Sequence, residues 1–283
     1  MSKTPANLDQ YAVFGDPIAQ SKSPLIHAAF AKQTAQNLTY SKHPVNAESF
    51  AAAAKDFFKQ GGRGLNITAP CKLEAYAFAD ELSERAKRAG AVNTLICDDQ
   101  GRVKGDTTDG VGLVNDLIKN LQWPLHQKRV LILGAGGAVR GVLEPLLAQS
   151  PSELMIANRT AVKAEGLALD FAAHAPDNCT LSSCGFDDLG QRQYDLIING
   201  TSSSLTGDLP PLPEDLLAPG AACYDMSYAS EATVFMRWAK QQGAAEIADG
   251  LGMLVGQAAE SFSLWRGVTP ETQTVIEDLR ARL

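Results

Sequence analysis

Val130–Gly141 reads VLILGAGGAVRG, and this stretch decides the fold. Val130, Leu131, Ile132 and Leu133 form a short apolar run suited to a strand buried on both faces. Gly134, Ala135, Gly136 and Gly137 follow at once, and Ala138 opens a segment able to be helical through Leu147. A strand, a glycine turn and a helix start together make the phosphate-binding corner of a dinucleotide fold. Glycines let the backbone approach a pyrophosphate closely, and the helix N-terminus offers it unpaired N–H groups. The match to G-x-G-x-x-G/A is imperfect, because Val139 stands at the third position. Ala138 and Gly141 are the small residues left to bring helix and strand close. A simple tight turn would use the same glycines.

Further on, Leu154–Ala157 is a second apolar run, ending at Asn158-Arg159-Thr160. A dinucleotide fold reads the adenosine ribose here, about 20 residues past the glycines. An acid at this point would bind the 2′-hydroxyl and repel a 2′-phosphate. Asn158 is neutral instead, Arg159 is its neighbour, and Lys163 lies one helical turn on. The charge favours NADP over NAD, the other use of the pair being a solvated basic helix start.

The 283 residues exceed the usual ~100–200 of one domain, so two domains are expected. With 45% apolar and 20% charged residues the composition is that of an ordinary globular protein. A formal net charge of −7 argues against nucleic acid or an anionic membrane as partner. MSKTPANLDQ at the start lacks a signal-peptide core, and no apolar run nears the ~18 residues that span a bilayer. Cys71, Cys97, Cys179, Cys184 and Cys223 are scattered without a CxxC, and the four histidines are isolated. Neither a disulfide framework nor a metal site is expected, and a reducing cytoplasm is.

From the N-terminus, Tyr11–Phe14 reads as a strand. Ser23 and Pro24 then start a helix, with Ser23 as N-cap and Pro24 at the first helical position. Leu38–Val45 is a strand, Ala47–Lys59 a helix ended by Gly61-Gly62, and Gly64–Ile67 a strand broken at Thr68-Ala69-Pro70. This β-α-β-α-β order implies an open, mostly parallel sheet. Val92–Cys97 and Arg102–Lys104 flank a turn, Asp98-Asp99-Gln100-Gly101, and form a hairpin. Thr107-Thr108-Asp109-Gly110 caps a crossover helix running through Leu121. Asp195–Asn199 and Ala221–Tyr224 add strands to the glycine-corner domain. Leu251, Leu254, Val255, Ala258, Phe262 and Trp265 recur at helical spacing, and a final helix follows Pro270.

Polar residues gather at element ends in the first half. Asn66 and Thr68 close a strand, and Lys72 stands at the next helix start, where the dipole disfavours a cation. Solvation would offset that cost; a carboxylate partner would remove it, and Asp109 is the candidate, besides serving as N-cap of its own helix.

These motifs form a set that resembles the shikimate dehydrogenase family. The set comprises SKSP at Ser21–Pro24, NITAPCK at Asn66–Lys72, GAVNT at Gly90–Thr94, TDG at Thr108–Gly110 and GAGGAVRG at Gly134–Gly141. NRT at Asn158–Thr160, YDMSY at Tyr224–Tyr228 and DGLGMLVGQAAESF at Asp249–Phe262 complete it. The resemblance implies two α/β domains. Residues 1–108, completed by 250–283, would bind substrate; 109–249 would be a Rossmann-type NADP domain. It implies reduction of 3-dehydroshikimate to shikimate by NADPH. Ser21 and Ser23 would hold the substrate carboxylate, with Tyr228 nearby, and Thr68, Lys72, Asn93, Asp109 and Gln257 the ring hydroxyls. Gly134–Ala138 would take the pyrophosphate, and Asn158, Arg159, Thr160 and Lys163 the 2′-phosphate and adenine. Met226 and Gly250 would line the nicotinamide, with Glu84 on the cofactor side. Lys72 would polarise or protonate the developing alkoxide while Asp109 orients substrate and lysine. A homodimer is compatible with it. The sequence departs from the family at Thr107, where Asn is usual, and in INGTSSSL, where Gly200 and Ser204 alter INATSxGL. Two readings stay open beside it: an NAD-dependent quinate/shikimate dehydrogenase, opposed by Arg159, and a non-catalytic dinucleotide sensor, opposed by the intact Lys72 and Asp109.

Overall fold

The computed structural model describes residues 8–201, 203 and 207–283. The chain forms two compact units, one running up to Thr108 and joined by Gln257–Val275, the other Asp109–Gly256 joined by Ile276–Leu283. On sequence, all of 250–283 goes to the first unit; by contact, 257–275 lie with it and the flanking residues with the second.

In the first unit six strands form one sheet: β1 (Asp9–Gly15), β2 (Leu38–Pro44), β3 (Gly62–Ile67), β4 (Glu81–Leu82), β5 (Thr94–Cys97) and β6 (Val103–Asp106). Their order is β2-β1-β3-β5-β6-β4. β1 pairs parallel with β2 and β3, while β5 runs antiparallel to β3 and β6. Phe14, Leu65, Ile67 and Leu95 pack with Phe50 and Ala54 of helix α2 (Phe50–Lys59) and with Ala75 of α3 (Lys72–Phe78). The β5–β6 turn is held by Asp98, whose carboxylate accepts from the Gln100 and Arg102 N–H groups, both at 2.9 Å.

Helix α1 spans Ser23–Gln33, and its cap corrects the sequence expectation. Lys22 holds the cap position with no side-chain cap bond, and Ser23 is the first helical residue. The Ser23 N–H donates instead to Ser21 Oγ at 3.3 Å. Ser21 therefore does the work assigned to Ser23.

In the second unit the strands are β7 (Arg129–Leu133), β8 (Glu153–Asn158), β9 (Thr180–Gly185), β10 (Tyr194–Asn199), β11 (Leu217–Asp225) and β12 (Glu246–Asp249). All pairs are parallel, in the order β12-β11-β10-β7-β8-β9. Counted along this unit, that is the doubly wound Rossmann order. The winding reverses between β7 and β10, so the carboxyl ends of those two strands form the crevice where such sheets take ligands. β9 and β12, at the two edges, are strands the sequence pattern does not show.

Two further expectations change. The crossover helix α5 covers Asp109–Asn115 and passes into a π-helical turn, Asp116–Asn120, instead of running evenly to Leu121. Buried Asp116 lies in that turn, accepting from Tyr224 Oη at 2.7 Å and Asn120 Nδ2 at 2.8 Å. Asp109 itself opens α5 as its first residue and is not the residue before it.

At the glycine corner, α6 spans Gly137–Leu147. Ala138 is exposed, and a Cβ on Gly141 would touch nothing within 4 Å, so neither brings helix and sheet together. Fully buried Val139 does so, filling the space opposite Gly200, where a Cβ would lie 2.5 Å from Val139 Cγ2. α5 and α6 approach closely at Gly110, where a Cβ would lie 2.6 Å from the Gly141 carbonyl oxygen. Leu167 and Phe171 of α7 (Ala161–Phe171) share a core with Val130 and Ile132. Phe235 and Trp238 of α8 (Val234–Gln241) share the other, with Leu131 and Leu133, so β7 is covered on both faces. No described helix is long and apolar enough to cross a membrane.

Candidate functional site

The first unit collects most of the candidate substrate residues at the carboxyl ends of its parallel strands. β1 ends at Gly15 and leads to Ser21 and Ser23; β3 ends at Ile67 and leads to Thr68 and Lys72. The loops lie side by side, since the Asp16 N–H donates to the Ala69 carbonyl at 3.1 Å and the Thr68 N–H to that of Phe14 at 2.9 Å. Lys72 opens α3, half-buried, and its carbonyl accepts from the Val92 N–H at 3.1 Å. That bond sets Lys72 beside Asn93.

Asn93 is buried and held at both ends of its amide. Its Nδ2 donates to Thr108 Oγ1 at 2.9 Å and to Gln257 Oε1 at 3.4 Å. Its Oδ1 accepts from the Thr108 N–H and from Thr94 Oγ1, both at 2.9 Å. Ser261 Oγ meets Thr94 Oγ1 at 2.7 Å and donates to the Gln257 carbonyl at 3.0 Å. Asn93 and Gln257 are thus fixed by one polar cluster joining β5 to helix α9 (Leu251–Arg266).

Asn66 extends the cluster. Its Nδ2 donates to Ser261 Oγ at 2.9 Å, Thr94 Oγ1 at 3.2 Å and the Asn93 carbonyl at 3.4 Å. A carbonyl only accepts, which fixes the amide and turns Oδ1 toward two donors, Tyr40 Oη at 2.7 Å and His27 Nε2 at 3.1 Å. His27 is consequently the Nε2–H tautomer, and its buried Nδ1 has no partner among the described residues. Full burial pushes its pKa down to about 3. The ring stacks on Tyr40, with centroids 4.2 Å apart.

Beneath this floor Asp106 binds Arg85 through two bonds, Nε–Oδ1 at 2.7 Å and Nη2–Oδ2 at 2.9 Å, and Arg85 also donates to Glu260 at 3.0 Å. The pairing ties helix α4 (Glu84–Ala89) and α9 to the end of β6. Thr107 next to it is buried, its N–H donating to Asp106 Oδ1 at 2.7 Å. The Glu84 carboxylate is exposed and meets Lys87 at 2.7 Å and Arg88 at 3.7 Å.

The second unit carries the remaining candidates. Gly134 has φ +106°, a backbone state that favours glycine, and its N–H donates to the Ala157 carbonyl at 2.7 Å. A Cβ there would also meet the Gly200 carbonyl at 3.2 Å, which places the glycine turn at the winding switch point. Gly136 and Gly137 differ: a Cβ on either would meet no atom of the described residues within 4 Å, and both are exposed. Bare backbone at the start of a helix suits an anionic ligand.

At the end of β8, Asn158 Nδ2 donates to the Thr160 carbonyl at 2.9 Å. Arg159 and Lys163 are exposed, and among the described residues neither pairs with a carboxylate. Met226 stands between two glycines: its Sδ would be 3.1 Å from a Cβ on Gly200, and its carbonyl lies against Gly250 Cα. Buried Asp225, which accepts from Asn199 Nδ2 at 3.2 Å and Thr233 Oγ1 at 2.6 Å, anchors that loop. Tyr228 is half-buried, and burial raises its pKa. Gly200 is described, whereas Ser204, the other departure in this loop, lies outside the described residues, as does MSKTPAN. Among the described residues no cluster of His, Cys, Asp and Glu is arranged to hold a metal.

Sequence reasoning passes over Tyr40, His27, Thr94, Ser261 and the Arg85–Asp106 pair. His27 follows Ser23, and Ser261 follows Gln257, by four residues each, one helical turn, and that spacing is a usable signal. Tyr40 sits on a strand of mixed polarity and gives none.

These features define a two-unit α/β protein with a dinucleotide-binding sheet. Three family models match segments of the chain: the shikimate dehydrogenase substrate binding domain over residues 13–95, shikimate / quinate 5-dehydrogenase over 116–206, and the shikimate 5′-dehydrogenase C-terminal domain over 250–280. A shikimate dehydrogenase (NADP(+)) of Cellvibrio japonicus is 57% identical over 275 residues, 97% of this chain and 98% of the relative. An Ael1 enzyme from Pseudomonas putida superimposes with a TM-score of 0.91 at 47% identity, covering 96% of this chain and 98% of that one. Shikimate 5-dehydrogenase from Thermus thermophilus, solved with NADP(H) and shikimate, gives 0.85 at 32% identity, covering 98% and 100%. The chain belongs to the shikimate dehydrogenase family.

Proposed function

We propose that this chain catalyses the reversible reduction of 3-dehydroshikimate to shikimate by NADPH, in the cytoplasm, on the route to chorismate and the aromatic amino acids. The carrying observation is the cluster of buried Asn93 and Thr108 with half-buried Gln257, whose hydrogen bonds fix the two amides beside Lys72. Fixed amides of this kind recognise hydroxyl groups by donating and accepting at once. The Cellvibrio relative's name, and the Thermus structure with NADP(H) and shikimate, support the same reading.

NADP fits the residues present. The bare backbone from Gly134 to Ala138 takes the pyrophosphate, and the exposed Arg159 and Lys163, with Asn158 and Thr160, take the 2′-phosphate and adenine. Met226 and Gly250 line the nicotinamide. When bound, NADPH supplies the hydride for the C3 carbonyl carbon. Ser21 and Ser23 bind the carboxylate, with Tyr228 nearby; Thr68, Asn93 and Gln257 hold the ring hydroxyls. Lys72 stabilises and protonates the oxygen left at C3, and Asp109 orients the substrate.

Steady-state oxidation of shikimate and of quinate, each with NADP and NAD, tests the reading. Shikimate with NADP is expected to give the highest kcat/KM by a wide margin. Preference for NAD, or for quinate, would reassign the chain within its family. Absence of turnover by folded protein would make it a binding protein.

A further inference from the structure

Strands β11 and β12 end side by side, Asp225 opposite Asp249, and run on into Met226 and Gly250. The Gly250 N–H donates to the Ser227 carbonyl at 3.0 Å, and a Cβ on Gly250 would collide with the Met226 carbonyl. Asp249 is buried where these two extensions begin. Its Oδ1 accepts from the Leu251 N–H at 3.2 Å, which fixes the first turn of α9. The Met253 N–H in the same turn donates to Tyr224 Oη at 3.3 Å.

A buried carboxylate needs a cation close by, and here it comes from the last helix of the chain. Helix α10 (Gln273–Arg280) carries Arg280, whose Nη1 donates to Asp249 Oδ2 at 2.8 Å and whose Nη2 donates to Oδ1. Nη1 also donates to the Ala229 carbonyl at 3.4 Å, three residues past Met226. One guanidinium therefore holds both extensions, Gly250 through Asp249 and Met226 through Ala229. This tie is one reason Ile276–Leu283 belong to the second unit when the residues before them lie with the first.

We propose that Arg280 is a positioning residue for the nicotinamide, acting through Asp249 and the Ala229 carbonyl on Gly250 and Met226. The proposal rests on the assignment of those two residues to that ring. Gly250 has no side chain and the Met226 thioether is flexible, so neither sets the ring's position by itself. What they offer is a backbone edge, and the edge is as precise as its anchor. Hydride transfer is sensitive to that precision, since a misplacement of about 1 Å can cost about 100-fold. A planar fork with two parallel bonds fixes the carboxylate in orientation as well as in charge, which an ammonium group does not. A partner that only balanced charge would have no use for the further bond to Ala229.

Two full-length variants test this without leaving a buried acid unpaired. Arg280→Met combined with Asp249→Asn removes both charges and keeps an acceptor for the Leu251 N–H. Arg280→Lys keeps the charge and loses the fork. For shikimate oxidation with NADP, kcat should fall about 10- to 100-fold in the neutral pair and about 3- to 10-fold with lysine. NADP KM should stay within about twofold of wild type, and so should the Kd of 2′-phospho-ADP-ribose, which is NADP without its nicotinamide. The glycine corner and Arg159 hold that part of the cofactor. If the neutral pair does not fold, Arg280→Lys decides alone. A kcat within about twofold of wild type in a folded variant, or a loss of fragment affinity as large as the loss of kcat, would leave Arg280 a structural ion pair only. If wild type oxidises shikimate and the variants match it, the positioning role alone falls. If wild type shows no turnover, the reading of the site falls and this role with it.

Discussion

The two proposed ligand sites, one in each unit, are built from opposite materials. In the first, side chains do the holding: Asn93 and Gln257 are joined through Thr94, Thr108 and Ser261 to a network centred on Asn66. In the second, side chains are removed: Gly136 and Gly137 present naked backbone, with Arg159 and Lys163 exposed beyond them. A neutral polyhydroxyl ring offers directional donors and acceptors, which reward fixed side-chain geometry. A pyrophosphate offers diffuse charge, which a helix start and close backbone meet better. The difference teaches that polar density and glycine bareness are alternative signatures of a site.

The contrast is sharpest at Lys72, the one side chain assigned chemistry. Lys72→Met keeps the stem at the start of α3 and removes the charge. kcat should fall by roughly 10²–10⁴-fold with a smaller change in shikimate KM, as for a group acting mainly in the transition state. Turnover within a few-fold of wild type, by folded protein that binds NADP, would remove Lys72 from the mechanism.

Arg159→Ala tests whether the second unit uses any side chain for specificity. NADP KM should rise about 10- to 150-fold, the loss of one charge-assisted contact of about 1.5–3 kcal/mol, and NAD should be spared. Equal losses for both cofactors would show that Arg159 does not read a 2′-phosphate.

Gly136→Val tests the bare backbone directly. Its φ of −90° and ψ of −179° suit any residue, and among the described residues nothing but its chain neighbours lies within 4 Å of the added Cβ. The melting temperature should therefore hold while NADP and NAD KM rise together, by about 10-fold. A stable variant with unchanged cofactor KM would show that the glycine serves no ligand.

The last test falls on the buried polar network. His27 takes a proton near pH 6.5 when unfolded but only at about 3 when folded. Its stabilising effect is complete above about pH 6.5 and is lost as pH falls from there toward 3, by about 1.4 kcal/mol per pH unit. Melting temperatures of wild type and His27→Phe from about pH 4 to 7 should show a steeper slope in wild type than in the variant. Parallel curves would mean that the buried ring titrates normally.

How much of this is legible in the sequence depends on burial. Val130–Leu133 and Leu154–Ala157 are apolar throughout because they lie centrally in a parallel sheet covered on both faces, so periodicity finds them. Thr180–Gly185 and Glu246–Asp249 sit at the edges of that sheet, half wet and polar, and carry no such signal. Residue type assigns the cap to Ser23, but the chain turns one residue earlier and Ser21 receives the N–H. The glycine corner is legible, yet its packing is not. A fingerprint position filled by Val139 reads as a flaw until Gly200, far along the chain, is seen to make room for it. Polar candidates at strand ends show themselves by position; Tyr40 and Asp106 need the strands brought together.

Val139 and Gly200 also constrain how this chain can drift. A methyl group at position 200 would press on Val139 and on Met226 Sδ at 3.1 Å, so alanine there is admissible only after position 139 has shrunk. The reverse order passes through an overpacked intermediate. The two positions behave as one heritable unit with a direction: a small residue at 139 opens the path to alanine at 200, and valine at 139 closes it.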